Sequence, residues 1–283
     1  MRRGSATLRA PLGIFAILAC SVIGSGCLAL RPSALGDRSL SVAGTSSGWL
    51  HHGGSLPDEG PTFERARRGE PTRAGVPRLI EALAQASVEV DRAFPGSLRL
   101  RIGDVASPFG GRHSRHRSHR SGRDVDILYY LASPTGVPVE PRGRVAFSRF
   151  GVAPDPDTGE LVVFDDARNW HLVRTLLADP SIEVQWIFCS RGVKSRLLAH
   201  ALAYEPDRAL LARAAYVLAQ PQNAAPHDDH FHVRVLCSVE ESALGCRDVA
   251  PIWPWLRAAR HPREADDTYD DARLLELLDA PAP

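Results

Sequence analysis

Hydrophobic and polar residues alternate with two different periods in the first half of the domain-forming sequence. Residues 77–94 carry apolar side chains every three or four positions, which predicts an amphipathic helix. Residues 98–102 alternate between aliphatic residues and arginine, and this pattern predicts a half-buried strand. Residues 124–131 alternate again, with Asp124 and Asp126 on one face and apolar side chains on the other. The pattern therefore predicts a helix followed by two strands.

The second half continues the mixture of helices and strands. The predicted elements are a helix capped at residues 165–166, a strand at 182–189, helices around 193–204 and 207–220, and a strand whose residues 231, 233 and 235 face inward. Elements in this order predict an α+β domain with a small central antiparallel sheet and flanking helices. We expect this domain to span residues 73–258.

The segments on either side of this domain have a different composition. Residues 28–72 are rich in Gly, Ser, Pro and Arg and show no sustained period, which predicts a tether or an irregular N-terminal segment. Residues 259–283 form an acidic C-terminal tail, in which one short helix is expected at 273–278.

Residues 1–27 have the pattern of a targeting segment. Three early arginines precede an apolar run at residues 12–23, which is too short to predict a membrane-spanning helix. Cys27 follows small residues and resembles the lipidated cysteine of bacterial lipoproteins, with Cys20 as the second candidate. A plain secretory signal with incidental cysteines is the alternative. Either interpretation implies export to an oxidising compartment, the periplasm, with membrane anchoring through an N-terminal lipid if Cys27 is modified.

Composition is that of an ordinary globular protein. Hydrophobic residues make up 44% of the chain, charged residues make up 24%, and the formal net charge is +1. A balance this close to neutral gives no indication of nucleic-acid binding. Among the cysteines beyond residue 27, Cys237 and Cys246 are separated by a polar stretch and are expected to form a disulfide. Cys189 ends an apolar run and is expected to be a buried free thiol.

Two segments concentrate the candidate chemistry, because residues 110–126 and 227–234 hold six of the eleven histidines. A catalytic zinc site uses three protein ligands and keeps one position open. His119 at the end of a loop and Asp126 on the following strand supply two such ligands. His230 and His232 lie two positions apart on a strand and project from one face, so His232 can bind the metal while His230 acts as an acid–base group beside it.

Other interpretations of these residues remain open at this point. Residues 112–123 form a basic run that fits a solvated loop or a phosphate-binding patch, although this does not explain the later histidines. His113 and His116 fit solvated neighbours with no role, and Asp124 fits a partner that orients a metal ligand. The remaining histidines belong to no cluster and are read as structural or exposed: His51, His52, His171, His200 and His261.

The motifs His-x-x-Gly-x-Asp-Val-Asp at 119–126 and His-x-x-His-x-His-Val-Arg at 227–234 resemble those of the penicillin-insensitive murein endopeptidases. This family belongs to the metallopeptidase group that includes lysostaphin, D-Ala-D-Ala carboxypeptidases and the hedgehog signalling domain. The resemblance covers roughly residues 98–246 and implies a sheet-centred α+β fold of that group. It also implies hydrolysis of the D-alanyl–meso-diaminopimelyl bond between peptidoglycan stem peptides.

The resemblance assigns roles by position. It implies that His119, Asp126 and His232 are the zinc ligands, that His116 is a further metal contact, and that His227 and His230 are catalytic. The segment at residues 133–160 does not reproduce the family's second acidic metal site, so one zinc ion is expected.

Three functions follow as hypotheses. The first is a zinc murein endopeptidase acting on stem peptides, whose free carboxylates would suit the basic loop that carries Arg115, Arg117, Arg120 and Arg123. The second is a D,D-carboxypeptidase or dipeptidase of the same group, although Asp124 in the Asp-Val-Asp motif favours the endopeptidase. The third is a non-catalytic peptidoglycan-binding lipoprotein, which the complete set of histidines argues against.

Overall fold

The computed structural model describes residues 38–140 and 143–260, and these residues form an α+β fold in which a six-stranded sheet carries helices on one face. The strands within the described ranges are β1 Leu40–Val42, β2 Trp49–His51, β3 Gly54–Ser55, β4 Phe63–Arg65, β5 Ala74–Gly75, β6 Leu100–Ile102, β7 Asp124–Leu128, β8 Leu131–Ala132, β9 Pro138–Val139, β10 Val152–Pro154, β11 Leu161–Phe164, β12 Val184–Phe188, β13 Leu218–Ala219 and β14 His230–Val235. The helices are α1 Pro77–Ala93, α2 Asp166–Ala178, α3 Arg191–Tyr204, α4 Arg208–Val217, α5 Val239–Ala243 and α6 Pro254–Arg260.

The main sheet has the strand order β13-β12-β14-β7-β6-β4. Its centre is antiparallel, but both edge strands, β13 and β4, pair in parallel with their neighbours. The expected small antiparallel sheet is therefore wrong in size and in direction at the edges. The α+β class itself is confirmed.

The helices form where the apolar period predicts them. Helix α1 begins with proline at its first turn, where the missing N–H breaks no helical bond. Helices α2, α3 and α4 begin after Asp165, Ser190 and Asp207, whose side chains each accept a backbone N–H of the first turn. Their buried residues pack with Phe231 and with the other apolar side chains of the sheet in one core.

Residues after β7 form a second sheet instead of a plain loop. Strands β10, β11, β8 and β9 lie in that order and together span residues 131–164 of the chain. The segment that joins β9 to β10 is tied back to the main sheet, because the Phe147 N–H donates to the Asp228 carbonyl at 2.8 Å. This contact brings residues 143–147 beside the start of β14.

The N-terminal strands are fastened to the loop after β14. Cys237 and Cys246 are disulfide-bonded, as the sequence predicted, and Cys189 is a buried free thiol. The Ala43 N–H donates to the Gly245 carbonyl at 3.0 Å within this loop. The Arg123 guanidinium is buried and binds both the Ser41 hydroxyl and the Asp248 carboxylate.

The predictions for the two chain ends fall on residues that the structure does not describe. They are the targeting segment with Cys20 and Cys27, and the C-terminal tail after Arg260. In the part of the chain that is described, no helix is both long enough and apolar enough to cross a bilayer.

Candidate metal centre

The centre lies on the face of the main sheet opposite the helical core. In the antiparallel ladder, His232 on β14 is paired with Asp126 on β7 and with Phe188 on β12, so these three side chains share one face. The neighbouring residues of β14, Phe231 and Val233, point to the other face and pack in the core. The alternation of the strand therefore separates the polar centre from the apolar interior.

His119 reaches this face from the loop between β6 and β7. Its backbone has a positive φ of 62°, and its N–H donates to Asp124 Oδ2 at 3.2 Å. Its ring Nδ1 donates to the Val105 carbonyl at 3.0 Å, which directs Nε2 towards Asp126. Gly122 allows the chain to turn back into β7, because its φ is 73° and a Cβ there would lie 2.9 Å from the side chain of Leu50.

Three donor atoms form a nearly equilateral triangle. His119 Nε2 lies 3.3 Å from Asp126 Oδ1, His232 Nδ1 lies 3.5 Å from the same oxygen, and the two ring nitrogens lie 3.4 Å apart. Zinc bonds of 2.0–2.1 Å in tetrahedral geometry separate neighbouring ligand atoms by about 3.3–3.4 Å. Asp126 Oδ1 is buried and has no hydrogen-bond partner among the described residues. The arrangement fits a small divalent cation that this oxygen would bind.

His232 is held in the orientation that such a cation requires. Its Nε2 donates to Asp124 Oδ1 at 2.9 Å, which directs Nδ1 towards the triangle. The Arg234 guanidinium donates to the same Asp124 oxygen at 2.6 Å. Burial lowers the pKa of His232 to about 4, so the ring is neutral and its lone pair is available.

The protonation of the other two groups is coupled. Burial opposes charge on His119, but the carboxylates of Asp126 and Asp124 outweigh it and raise the His119 pKa. Burial also opposes charge on Asp126, yet His119 and His230 hold the Asp126 pKa well below its usual range. In the absence of a metal, the histidines around Asp126 compensate a buried carboxylate. A divalent cation would take over this role and release the proton of His119.

His116 approaches the other oxygen of Asp126. Its Nε2 lies 3.5 Å from Asp126 Oδ2 and 3.1 Å from Asp104 Oδ2. The ligand atoms of His116, His119 and Asp126 lie within 4.8 Å of one another, and so do those of Asp104, His113 and His116. Asp104 is already engaged, because the Arg115 guanidinium donates to both of its oxygens and the Thr72 hydroxyl donates to one.

His230 and His227 line the same side of the centre. His230 Nε2 lies 3.5 Å from Asp126 Oδ1, and its Nδ1 forms a short hydrogen bond with Asp229 Oδ1. The ring of His227 lies 4.9 Å from that of His230 and 5.5 Å from that of His232, measured between centroids. Burial lowers the pKa of His227, which favours a neutral imidazole beside the centre.

Arg144 is the residue of this site that the sequence did not indicate. It lies in the connection between β9 and β10, and its guanidinium donates to Asp126 Oδ2 at 3.2 Å. Another guanidinium nitrogen lies 2.7 Å from His230 Nδ1 and 3.5 Å from Asp229 Oδ2. Arg144 lies in a Pro- and Gly-rich stretch that carries no motif, so only the tertiary contact reveals it.

Two of the four arginines of the basic loop are engaged within the protein. Arg115 is paired with Asp104 and Glu70, and Arg123 is buried against Asp248. These two arginines hold the loop together and do not face an external anion.

Comparison with known proteins gives one family. The family described as penicillin-insensitive murein endopeptidase matches residues 41–254. A penicillin-insensitive murein endopeptidase of Klebsiella pneumoniae is 28% identical over 254 residues, covering 84% of this chain and 82% of the relative. The protein of that name from Haemophilus influenzae is 26% identical over 235 residues, covering 78% and 72%. The one from Yersinia pestis is 30% identical over 220 residues, covering 74% and 69%.

Proposed function

The chain belongs to the penicillin-insensitive murein endopeptidase family, and from this premise we propose that it is a zinc-dependent enzyme that hydrolyses peptide cross-links in peptidoglycan. The observation that carries the zinc assignment is the triangle of His119 Nε2, Asp126 Oδ1 and His232 Nδ1, with sides of 3.3–3.5 Å around an oxygen that lacks a partner. Nitrogen and carboxylate ligands in this number are those of catalytic zinc sites, which also need an open coordination position.

The ligand assignment follows the resemblance and is supported by the geometry. His119, Asp126 and His232 are the three ligands, and one zinc ion is bound per chain. His116 is a further contact on the side of Asp126 Oδ2, at 3.5 Å. Asp124 and the Val105 carbonyl each hold one histidine by its other ring nitrogen, as zinc-binding histidines require.

The other residues of the site provide proton transfer. A bound zinc ion supplies Lewis acidity towards a peptide carbonyl and towards water. Asp229 accepts the Nδ1 proton of His230, which leaves His230 Nε2 facing the centre as an acceptor or donor of a proton. His227 is neutral and donates its Nδ1 proton to the Ala225 carbonyl at 2.7 Å, so its Nε2 carries a lone pair that can accept a proton beside His230. We assign both histidines as catalytic.

We further propose that the bond cleaved is the D-alanyl–meso-diaminopimelyl bond of stem peptides and that the enzyme works in the periplasm. The fold is then that of the hedgehog and D-Ala-D-Ala metallopeptidase group, with the catalytic domain made of the proposed residues 73–258 together with the edge strand β4, Phe63–Arg65. Membrane anchoring through a lipid on Cys27 stays a prediction on residues outside the described ranges.

The test is digestion of purified cross-linked dimeric muropeptides, with product masses read by mass spectrometry. Two monomers whose masses sum to that of the dimer plus one water are expected from an endopeptidase. Release of a single terminal alanine instead would support the D,D-carboxypeptidase alternative. Activity should disappear after exhaustive chelation, return with zinc and persist with β-lactams, since no serine nucleophile is involved. Turnover by the chelated, metal-free protein would refute the zinc mechanism.

A further inference from the structure

We propose that Arg144 forms a binding subsite for the free carboxylate that the substrate carries on the amine side of the scissile bond. This inference rests on the proposed function, because it assigns part of the substrate to a residue of the same site. Arg144 is a candidate because its side chain remains 32% exposed while its guanidinium contacts Asp126, a proposed ligand, and His230, a proposed catalytic group.

The backbone around Arg144 is anchored, so the guanidinium is held at the centre. Val145 and Phe147 are buried on the C-terminal side of Arg144. The Phe147 N–H also donates to the Asp228 carbonyl at 2.8 Å, which joins this segment to the residues just before β14. A residue three positions from such an anchor can present a preorganised guanidinium to a ligand.

The guanidinium is not saturated by the protein. His230 Nδ1 lies 2.7 Å from the Arg144 guanidinium and is also within hydrogen-bond distance of Asp229 Oδ1. Because one ring nitrogen carries either a proton or a lone pair, it can donate to Asp229 or accept from Arg144, but it cannot do both. When Asp229 accepts the Nδ1 proton, Arg144 has no acceptor on that ring. Its remaining contacts are a hydrogen bond to Asp126 Oδ2 at 3.2 Å and an ion pair with Asp229 Oδ2 at 3.5 Å, whereas a guanidinium has five N–H donors.

A metal on Asp126 would weaken this remaining bond. A carboxylate that is bound to a divalent cation shares its negative charge with that cation. Arg144 would then keep its own full charge beside a carboxylate that attracts it less. A planar, always protonated guanidinium in that position is suited to bind an external carboxylate with two parallel hydrogen bonds.

Three other arginines near the centre are committed to internal carboxylates. Arg115 is paired with Asp104, Arg123 with Asp248, and Arg234 with Asp124. These pairs hold the loop and orient His232, so they are not available to a substrate without loss of the centre itself. Arg144 combines contact with the centre, partial exposure and spare donors.

The ligand is therefore a peptide with a free carboxylate on the residue that supplies the scissile nitrogen. The D-centre of a cross-linked diaminopimelyl residue has this chemistry. A carboxylate bound to Arg144 lies beside His230, since the two side chains are 2.7 Å apart, and this would bring the leaving nitrogen near the imidazole that we assign to proton transfer.

The experiment compares two substrates of the zinc-loaded enzyme. One is a cross-linked dimer with the free carboxylate, and the other is the same dimer with that group amidated. For the wild-type enzyme, kcat/KM is expected to fall roughly tenfold to a hundredfold on amidation, since a hydrogen-bonded charge is lost. For Arg144→Ala, the free-carboxylate dimer should be cut more slowly, and the ratio between the two dimers should fall close to one. Arg144→Lys should keep part of the ratio, because it retains the charge without the planar fork.

The matched control is Arg149→Ala, on the same connection but with its exposed guanidinium over the ring of Phe150. This variant should keep the wild-type ratio. Zinc content and circular dichroism of every variant should equal those of the wild type, so a change of the ratio is not a loss of metal or fold.

A binding measurement separates this inference from the proposed function. Calorimetry with the amine-side product peptide, free or amidated, reports the carboxylate contact in zinc-loaded protein whether or not turnover occurs. A wild-type protein that cuts neither dimer would refute the proposed function. An Arg144→Ala variant that keeps the full preference for the free carboxylate, in binding or in turnover, would overturn the inference, and so would a wild type without that preference.

Discussion

At the scale of single residues, the centre converges on Asp126 Oδ1. This oxygen is buried, lacks a hydrogen-bond partner among the described residues and lies within 3.5 Å of ring nitrogens from His119, His230 and His232. A buried polar atom without a partner costs about 1–3 kcal/mol, and more when it is charged. Such a cost is tolerated where a ligand removes it, which is why this atom supports a metal site more strongly than the count of nearby histidines does.

The two histidines of β14 should separate metal binding from proton transfer. His232→Ala removes a proposed ligand, so both zinc and activity should be lost. His230→Ala should keep its zinc and its fold but lose turnover by about 10²–10⁴-fold, the usual contribution of a positioned acid–base group. Zinc content by elemental analysis and muropeptide cleavage should be measured side by side. Loss of zinc from His230→Ala together with its retention by His232→Ala would reverse the two roles.

The sequence predicted the composition of this site better than its electrostatics. The resemblance of two separate motifs grouped His119, Asp126 and His232, whose donor atoms lie within 3.5 Å in the structure, and their role as ligands stays a proposal. These residues can be recognised in the sequence because each lies within a short motif, at residues 119–126 or 227–234. Arg144 was not predicted, because its position depends on a contact between the β9–β10 connection and the start of β14.

At the scale of elements, long periodic segments were predicted well and short strands were not. Helix α1 lies within one residue of its predicted end, since an amphipathic pattern over four turns is hard to mistake. Strands β4 and β13 have three and two residues, too few for alternation to be visible. Both are edge strands that pair in parallel with a neighbour. Because these pairings depend on tertiary packing, the sequence predicted a smaller and fully antiparallel sheet.

Helix α5 links three distant parts of the chain through Glu241, and this link should depend on pH. Glu241 forms an ion pair with Arg78 at 2.7 Å and accepts N–H groups of Ser41 and Ser238. Burial opposes its charge, but Arg78 and the backbone donors outweigh burial and lower the Glu241 pKa below its usual value of 4.5. A lowered pKa contributes stability that is present above the unfolded value and is lost as the pH falls through the folded value.

Glu241→Gln should therefore reduce the free energy of unfolding by about 1–3 kcal/mol at pH 7, the range for hydrogen bonds to charged groups. The difference from the wild type should shrink as the pH is lowered from the unfolded value of 4.5 through the lowered folded pKa of Glu241, where the wild-type carboxylate also becomes neutral. Denaturant unfolding at several pH values measures this. Glu240→Gln is the control, because Glu240 is exposed and its pair with Arg38 is solvated, so little change is expected. An equal loss in both variants, or one that does not vary with pH, would contradict the role of the Glu241 charge.

At the scale of the whole molecule, metal binding and folding should be linked. The three proposed ligands come from the loop before β7, from β7 itself and from β14, and these parts meet only in the folded chain. A ligand at one hundred times its dissociation constant stabilises the folded state by about 2.7 kcal/mol. Zinc should therefore raise the melting temperature of the chelated protein by several degrees in calorimetry. His119→Ala should lose this response, and an unchanged melting temperature of the wild type would argue against a site made by folding.

The register of β14 also restricts insertions and deletions within this strand. His230, His232 and Arg234 face the centre, while Phe231, Val233 and Val235 face the core, so successive residues serve opposite sides of the sheet. Deleting or inserting one residue in this strand would exchange the two sets and place histidines among the apolar helices. A substitution at a single position of β14 affects either the polar centre or the apolar core. An insertion or deletion of one residue would disrupt both, so the activity and the stability of the fold would be lost together. Natural length variation is therefore expected to be excluded from residues 230–235.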